Sequence, residues 1–304
     1  MDEVKKILVT GASGFLGWNV CRRAAQLHTV IGVFHSHPVT VPGVTALQCD
    51  LTDYRECTSL MQRTRPDAVI HAAAMVNPNQ CQEHRDESRR INVDAAVSIA
   101  GLCSDAGIPC VFISTDLIFD GTSPPYSETG EPSPISIYGE HKLEAERAMR
   151  RRHDRLIICR MPLMFGDAPP GAQSCIQPMI RALRERIPLP LFIDEYRTPV
   201  SGGTAAAGIL LALEKSLAGL IHLGGRERIS RCDFGYTLAA ALGADSAVIR
   251  PVRQADVKMP ALRPPDVSFD SAMAFGLGGR RGFNPLPLDE ELASLECVKS
   301  YAVC

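Results

Sequence analysis

No segment of the chain approaches the roughly 18 to 20 uninterrupted apolar residues that a membrane-spanning helix needs, although 45% of the 304 residues are hydrophobic. The start, MDEVKKILVT, runs straight into a strand pattern and lacks the apolar core of a signal peptide. A cytoplasmic protein with no membrane partner is the expectation. An excess of positive charge is also lacking: 32 Lys and Arg face 34 Asp and Glu, a formal net charge of -2. Without a basic field, nucleic acid is excluded as the expected partner. The eleven cysteines include no CxxC pair and no His/Cys cluster at metal-ligand spacing. A metal site and a disulfide scaffold are therefore not expected, and the cysteines read as buried thiols of a reducing compartment. No histidine context activates any of them as a nucleophile. Internal repeats and low-complexity tracts are absent too.

What is present is an alternation. KILVTG, TVIGVF, AVIHAAA and PCVFIST are short apolar runs, and helix-length segments separate them at Trp18 to Leu27, Tyr54 to Arg63 and Ser88 to Ala106. The runs have no period of two, as expected of parallel strands covered on both faces. This predicts an α/β fold, a doubly wound parallel sheet of the Rossmann type, with its ligand site at the carboxyl ends of the strands. The segment EHKLEAERAMRRRHD and the strand RLIICRMPLMFG continue the pattern, which then loosens. Helices near Ser174 to Arg186, Thr204 to Lys215 and Cys232 to Leu242 follow, and GLIHLGG reads as a return to the sheet. The expected division is a dinucleotide-binding domain over residues 1–165 plus about 203–225, and a smaller substrate lobe over 166–202 plus about 226–304.

The segment KILVTGASGFLGWNV sets Gly11, Gly14 and Gly17 after a strand and at the opening of a helix. Gly11 suits a tight strand exit, Gly14 a close backbone approach to a pyrophosphate, and Gly17 close packing of helix on sheet, while the N-H groups of the helix start face an anion. Ser13, Phe15 and Leu16 complete the ligand-facing set. At the end of the second strand, VIGVFHSHP offers His35 and Ser36 where an NAD site would place a carboxylate. This leans toward NADP(H) over NAD(H). The same two residues read equally well as a solvated loop.

Tyr138 and Lys142, in PISIYGEHKLEAE, are four residues apart and share one helix face. A neighbouring ammonium favours the phenolate and brings a tyrosine toward useful acid-base strength. Upstream, CVFISTDLIFDG ends a strand with Ser114 and Thr115. A hydroxyl there can orient a carbonyl oxygen toward Tyr138, and Thr115 is the first candidate, Ser114 the second.

TGASGFLG, CDL at Cys49 to Leu51, HAAA at His71 to Ala74, INV around Asn92, STDLIFDG and YGEHK together resemble the extended short-chain dehydrogenase/reductase superfamily over roughly the first 165 residues. The resemblance implies that Asp50 and Leu51 border the adenine, that Ala72, Ala73 and Ala74 line the cofactor channel, and that Lys142 also holds the nicotinamide ribose. It implies for Asn92 a supporting role in the proton relay. On its residue type alone Asn92 also reads as a helix cap or a sheet-side polar residue.

STDLIFDG followed by PYSE, then DEYRTPV and LRPPDVSFD, is most similar to the dTDP-4-dehydrorhamnose reductase branch, which reduces a 4-keto nucleotide sugar with NAD(P)H. The regulatory beta subunit of methionine adenosyltransferase is similar to the same branch. On the reductase reading Met75, Asp116, Arg197 and Arg263 lie on the substrate side, with Arg197 as a fixed cation for a diphosphate. A nucleotide-sugar epimerase is a second enzymatic reading. Dehydration is disfavoured because Leu117, not a carboxylate, follows Asp116. MVNP at Met75 to Pro78 and VSGGTAAAG after the RTP segment depart from the branch's pattern, so the sugar does not follow from it. A homodimer is compatible with this reading, and no hydrophobic stripe marks an interface.

Overall fold

The computed structural model describes residues 5–278 and 282–303. A seven-stranded parallel sheet forms its centre: β1 (Lys6–Thr10), β2 (Thr29–Phe34), β3 (Val44–Gln48), β4 (Ala68–His71), β5 (Cys110–Thr115), β6 (Leu156–Met161) and β7 (Gly219–His222). Their order is β7-β6-β5-β4-β1-β2-β3. The chain winds outward from β1 in one direction, returns at β4 and winds outward in the other. The crevice therefore opens at the carboxyl ends of β1 and β4, where the winding reverses.

Helices cover both faces. On one face α1 (Phe15–Ala24) and, later in the chain, Gly202–Glu214 pack Val20, Ala24, Ala205 and Ile209 against Ile7, Val9, Ile157 and Ile221. On the other face α2 (Tyr54–Thr64), α3 (Ala95–Asp105) and α4 (Ile137–Arg152) pack Leu60, Ile99, Ala145 and Met149 against Leu8, Val69, Phe112 and Ile158. Strands β4, β5 and β6 are buried along their whole length, which is why they read as unbroken apolar runs.

The expected alternation breaks once. Between β2 and β3 there is no helix, and β3 escapes sequence reading because VTALQ is an edge strand with partly or fully exposed residues throughout. A lone sheet-edge strand needs no apolar run. The return of GLIHLGG to the sheet is realised in the pairing of β7 with β6. A separate apolar cluster, including Phe165, Ile176, Met179, Phe234, Leu238 and Leu292, lies among the helices Ile176–Glu185, Arg231–Leu242 and Leu288–Ser294. Among the described residues no helix is long and apolar enough to cross a membrane.

Candidate active site

The glycine turn has the strain and crowding that demand glycine. Gly11 has φ 68°, and a Cβ there would lie 2.8 Å from the Ala73 backbone. At Gly17 a Cβ would meet the Gly11 carbonyl oxygen at 2.2 Å, so α1 can rest on the turn only without a side chain. Gly14 donates its N-H to the Gly11 oxygen at 2.9 Å. Asp53 caps α2 and Ser136 caps α4, but no side chain caps the first turn of α1, which also carries no acidic residue. An uncapped, uncharged helix start beside a glycine cradle fits the diphosphate of a dinucleotide.

Thr10 holds this turn to the loop after β4. Its hydroxyl oxygen accepts from the N-H groups of Ala72 and Ala73 at 3.1 and 3.2 Å and lies 2.9 Å from His71 Nδ1. With both lone pairs occupied, the hydroxyl must donate to His71, which fixes the neutral tautomer with its proton on Nε2. Burial pushes the His71 imidazole down to about 3, with the Lys142 charge acting in the same direction. His71 Nε2 is itself buried without a protein partner.

The opposite end of the crevice is open. His35 and Ser36 follow β2 directly, and Ser36 Oγ lies 3.0 Å from His37 Nδ1. Asp50, two residues beyond β3, brings a carboxylate to this end of the crevice: its Oδ2 lies 3.9 Å from His35 Nε2. The sequence hid it because the two residues meet only through the β2–β3 pairing. Hydrogen bonds from the Thr52 backbone and hydroxyl hold the Asp50 carboxyl below its ordinary range. Leu51 follows Asp50 and packs against the core behind α2.

Asn92 is not a cap. It is buried in a π-turn, Arg90–Asp94, within the helical run that leads into α3. Such a turn inserts one residue and swings a side chain inward. Asn92 Oδ1 accepts the Met75 N-H at 2.9 Å, and Nδ2 donates to the Met75 carbonyl at 3.0 Å. The side chain thus pairs with Met75 as a neighbouring strand would, fixing the loop that begins at Ala72.

Tyr138 and Lys142 lie on the buried side of α4, and Tyr138 packs with Cys81, Met75 and Leu117. Gly139 lets α4 come so close, since a Cβ there would sit 2.1 Å from the Leu117 carbonyl oxygen. Burial raises the Tyr138 phenol above its ordinary value, and the nearby Thr115 hydroxyl works against this. Lys142 is not among the groups that shift the Tyr138 phenol. Its Nζ sits 4.0 Å above the Phe112 ring, and burial pushes the ammonium itself down to about 7, opposed by the Glu146 carboxylate one turn on.

At the end of β5 the Thr115 hydroxyl donates to Asp116 Oδ1 at 3.1 Å and accepts the Leu117 N-H at 3.2 Å. Ser114 Oγ is buried with no partner. The Asp116 carboxyl is pushed up to about 6 by burial, with Arg197 opposing.

Arg197 corrects a second expectation. Its Nε lies 3.4 Å from Asp116, its Nη2 3.3 Å from Glu195, and its Nη1 donates to the Tyr196 carbonyl at 2.7 Å. Buried and fully engaged, this guanidinium is a structural tie between the β5 end and the 195–198 segment, not a free cation for a diphosphate. Arg263 differs: Nη2 donates to Asn79 Oδ1 at 3.1 Å, while Nη1 is buried with no partner. Burial lowers the Arg263 guanidinium, and Arg197 adds to the effect. Asn79 also accepts the Ala261 N-H at 3.3 Å, so it joins the loop after β4 to the segment carrying Arg263.

Sequence reading missed Thr10, Gly139 and Glu146. Gly139 and Glu146 stood within the quoted YGEHKLEAE, and the helical spacing of Glu146 from Lys142 was a usable signal. Thr10 had none, because its partners lie at positions 71 to 73.

The RmlD substrate binding domain model matches residues 5–281. The probable low-salt glycan biosynthesis reductase Agl14 of Haloferax volcanii is 31% identical over 96% of this chain and 97% of that protein. The methionine adenosyltransferase 2 subunit beta of Bos taurus is 27% identical over 92% of this chain and 85% of that protein. A solved structure described as a hypothetical dTDP-4-dehydrorhamnose reductase from Sulfolobus tokodaii superposes with a TM-score of 0.82 at 31% identity, covering 93% of this chain and 98% of that one. With the glycine turn, the β5 terminus and the Tyr138–Lys142 helix in the order that fold requires, the chain belongs to the RmlD substrate binding domain family, within the extended short-chain dehydrogenase/reductases.

Proposed function

We propose that the protein is an NAD(P)H-dependent reductase of a keto group on a nucleotide-activated sugar. The observation that carries this reading is the convergence of Tyr138, Lys142 and Thr115 beside the loop that Thr10 ties to the glycine turn. A bound nicotinamide dinucleotide would be held by the Gly11–Gly17 turn, Ala72 to Ala74 and Lys142, and would supply the hydride. Tyr138 then donates its phenolic proton to the carbonyl oxygen, balancing hydride addition at carbon to give the alcohol. The buried phenol carries the proton that this direction of transfer requires, and burial also makes it a weaker acid until the cofactor and substrate occupy the site. Thr115 orients the oxygen. Asn92 and Thr10 act one step back, fixing the backbone on either side of Ala73. Arg263, with a buried N-H group lacking a protein partner, is the stronger candidate for an anionic part of the substrate.

The test is oxidation of NADPH and of NADH, followed by absorbance, with purified protein and a panel of 4-keto nucleotide sugars. Turnover that disappears in Tyr138→Phe supports the reductase. The second reading, a cofactor-holding regulatory subunit, is favoured by the likeness to the methionine adenosyltransferase subunit over 92% of the chain. Tight cofactor binding without turnover on any member of the panel would select it.

A further inference from the structure

His141 is one residue before Lys142, and it is nearly buried where α4 meets the helix Arg85–Arg89. His141 Nδ1 lies 2.9 Å from Ser88 Oγ, and Ser88 Oγ lies 3.2 Å from Asn92 Nδ2. Asn92 Oδ1 accepts from the Met75 N-H, so Nδ2 is the end that faces Ser88 and donates to it. Ser88 then has one proton to place, and in the tautomer with its proton on Nε2, His141 offers at Nδ1 a stronger acceptor than the neighbouring Cys81 sulfur.

We propose that His141 is a positioning residue for the Tyr138 site: its unprotonated Nδ1 takes the Ser88 proton, which orients Ser88 to hold the Asn92 amide clamped on the Met75 backbone. This rests on the reading of Tyr138 as the proton donor, because the clamped loop carries Met75 and leads into the helix of Cys81, and both belong to the apolar cluster around Tyr138. With a proton on Nδ1, His141 becomes a donor. Ser88 can then accept from both on its two lone pairs, but it loses its strong acceptor and keeps only the Cys81 sulfur for its own buried hydrogen, which weakens its hold on the clamp.

The surroundings of His141 keep the neutral form available. Burial acts first, lowering its affinity for a proton, and Arg89 and Arg85 on the facing helix act in the same direction. Glu144 and Glu140 on α4 oppose them. The imidazole is thus neutral at pH 7 and gains its proton on the acid side.

Hydrogen exchange of the Met75 amide reads the clamp without any substrate. His141→Ala is expected to speed this exchange about tenfold at pH 7, and Ser88→Ala should do the same by breaking the same link. His141→Asn, whose side-chain oxygen can accept where Nδ1 stood, should keep the protection. After correction for intrinsic rates, wild type should lose protection as the pH is taken below the ordinary histidine value of 6.5, whereas His141→Asn should not. Unchanged Met75 exchange in both His141→Ala and Ser88→Ala would overturn the proposal, as would acid loss of protection equally in His141→Asn. In the keto-sugar assay His141→Ala should raise KM more than it lowers kcat. A complete absence of turnover in wild type would defeat the reductase reading, and the exchange measurements would still decide the role of His141.

Discussion

The two ends of the crevice are built on opposite principles. At the Tyr138 end the backbone is fastened by buried side chains: Thr10 on Ala72 and Ala73, Asn92 on Met75, and α4 seated on Leu117 through Gly139. At the His35 end the side chains are 71% and 43% exposed for His35 and Asp50, and their 3.9 Å separation makes a loose, solvent-screened pair. Burial turns each contact at the first end into a requirement. Exposure leaves the second end adjustable, so that on the proposed function the catalytic chemistry is fixed while the choice between a 2'-phosphate and a free hydroxyl would rest on small energies.

The largest expected effect tests the fixed end. Tyr138→Phe should lower kcat by roughly a hundredfold to ten-thousandfold, the usual range for removing an acid-base group, with cofactor affinity by fluorescence titration changed no more than about threefold. Retained turnover would remove Tyr138 from the mechanism.

Acid should destabilise the fold through two buried imidazoles, His71 at the rigid end and His222 at the end of β7, beside the Tyr126 carbonyl. The folded-state affinity for a proton is depressed at both His71 and His222, from 6.5 to about 3, by burial first. Each therefore contributes stability that is complete above pH 6.5 and is lost as the pH falls toward 3, at up to about 1.4 kcal/mol per pH unit per histidine. Urea unfolding midpoints measured from pH 7 to 4.5 should fall steadily, and a rise across that window would contradict the buried neutral state of both imidazoles.

Gly17→Ala tests whether the glycine turn belongs with the rigid end. Its Cβ meets a carbonyl oxygen rather than a movable side chain, so a stability loss of about 1 to 3 kcal/mol is expected, with cofactor binding weakened at least tenfold. Wild-type binding in this variant would mean that α1 can shift freely on the turn.

The smallest effect belongs to the open end. Asp50→Asn removes the carboxylate beside His35 and should raise affinity for NADPH relative to NADH by only about two- to fivefold, an advantage that fades in 0.5 M salt because exposed charges are screened. A change of a hundredfold would show that this end is as tightly determined as the other.

The same contrast sets what could be read from the sequence. Gly11, Gly14, Gly17, Tyr138 and Lys142 were legible because their work is local: a turn that needs positive φ, a helix that needs contact, two side chains one turn apart. Buried strands β1, β4, β5 and β6 were legible as apolar runs, while β3 was hidden by exposure. Arg197 could be seen as a cation, but its partners Asp116 and Glu195 come together only across the fold. Asn92 looked like a cap because nothing in RINVD announces a π-turn.

The place of β7 has a consequence for how the chain reaches its native state. β6, the strand LIICRM, is finished early in synthesis, but its outer hydrogen-bonding edge is covered only when Gly219 pairs with Ile157, after the detour through Phe165, the helix Ile176–Glu185 and the 195–198 segment. Closing so long a loop delays the last sheet pairing and lengthens the time an apolar edge is open to other chains. A nascent chain halted before residue 219 would leave the outer edge of β6 unpaired, an apolar strand edge that the finished protein covers.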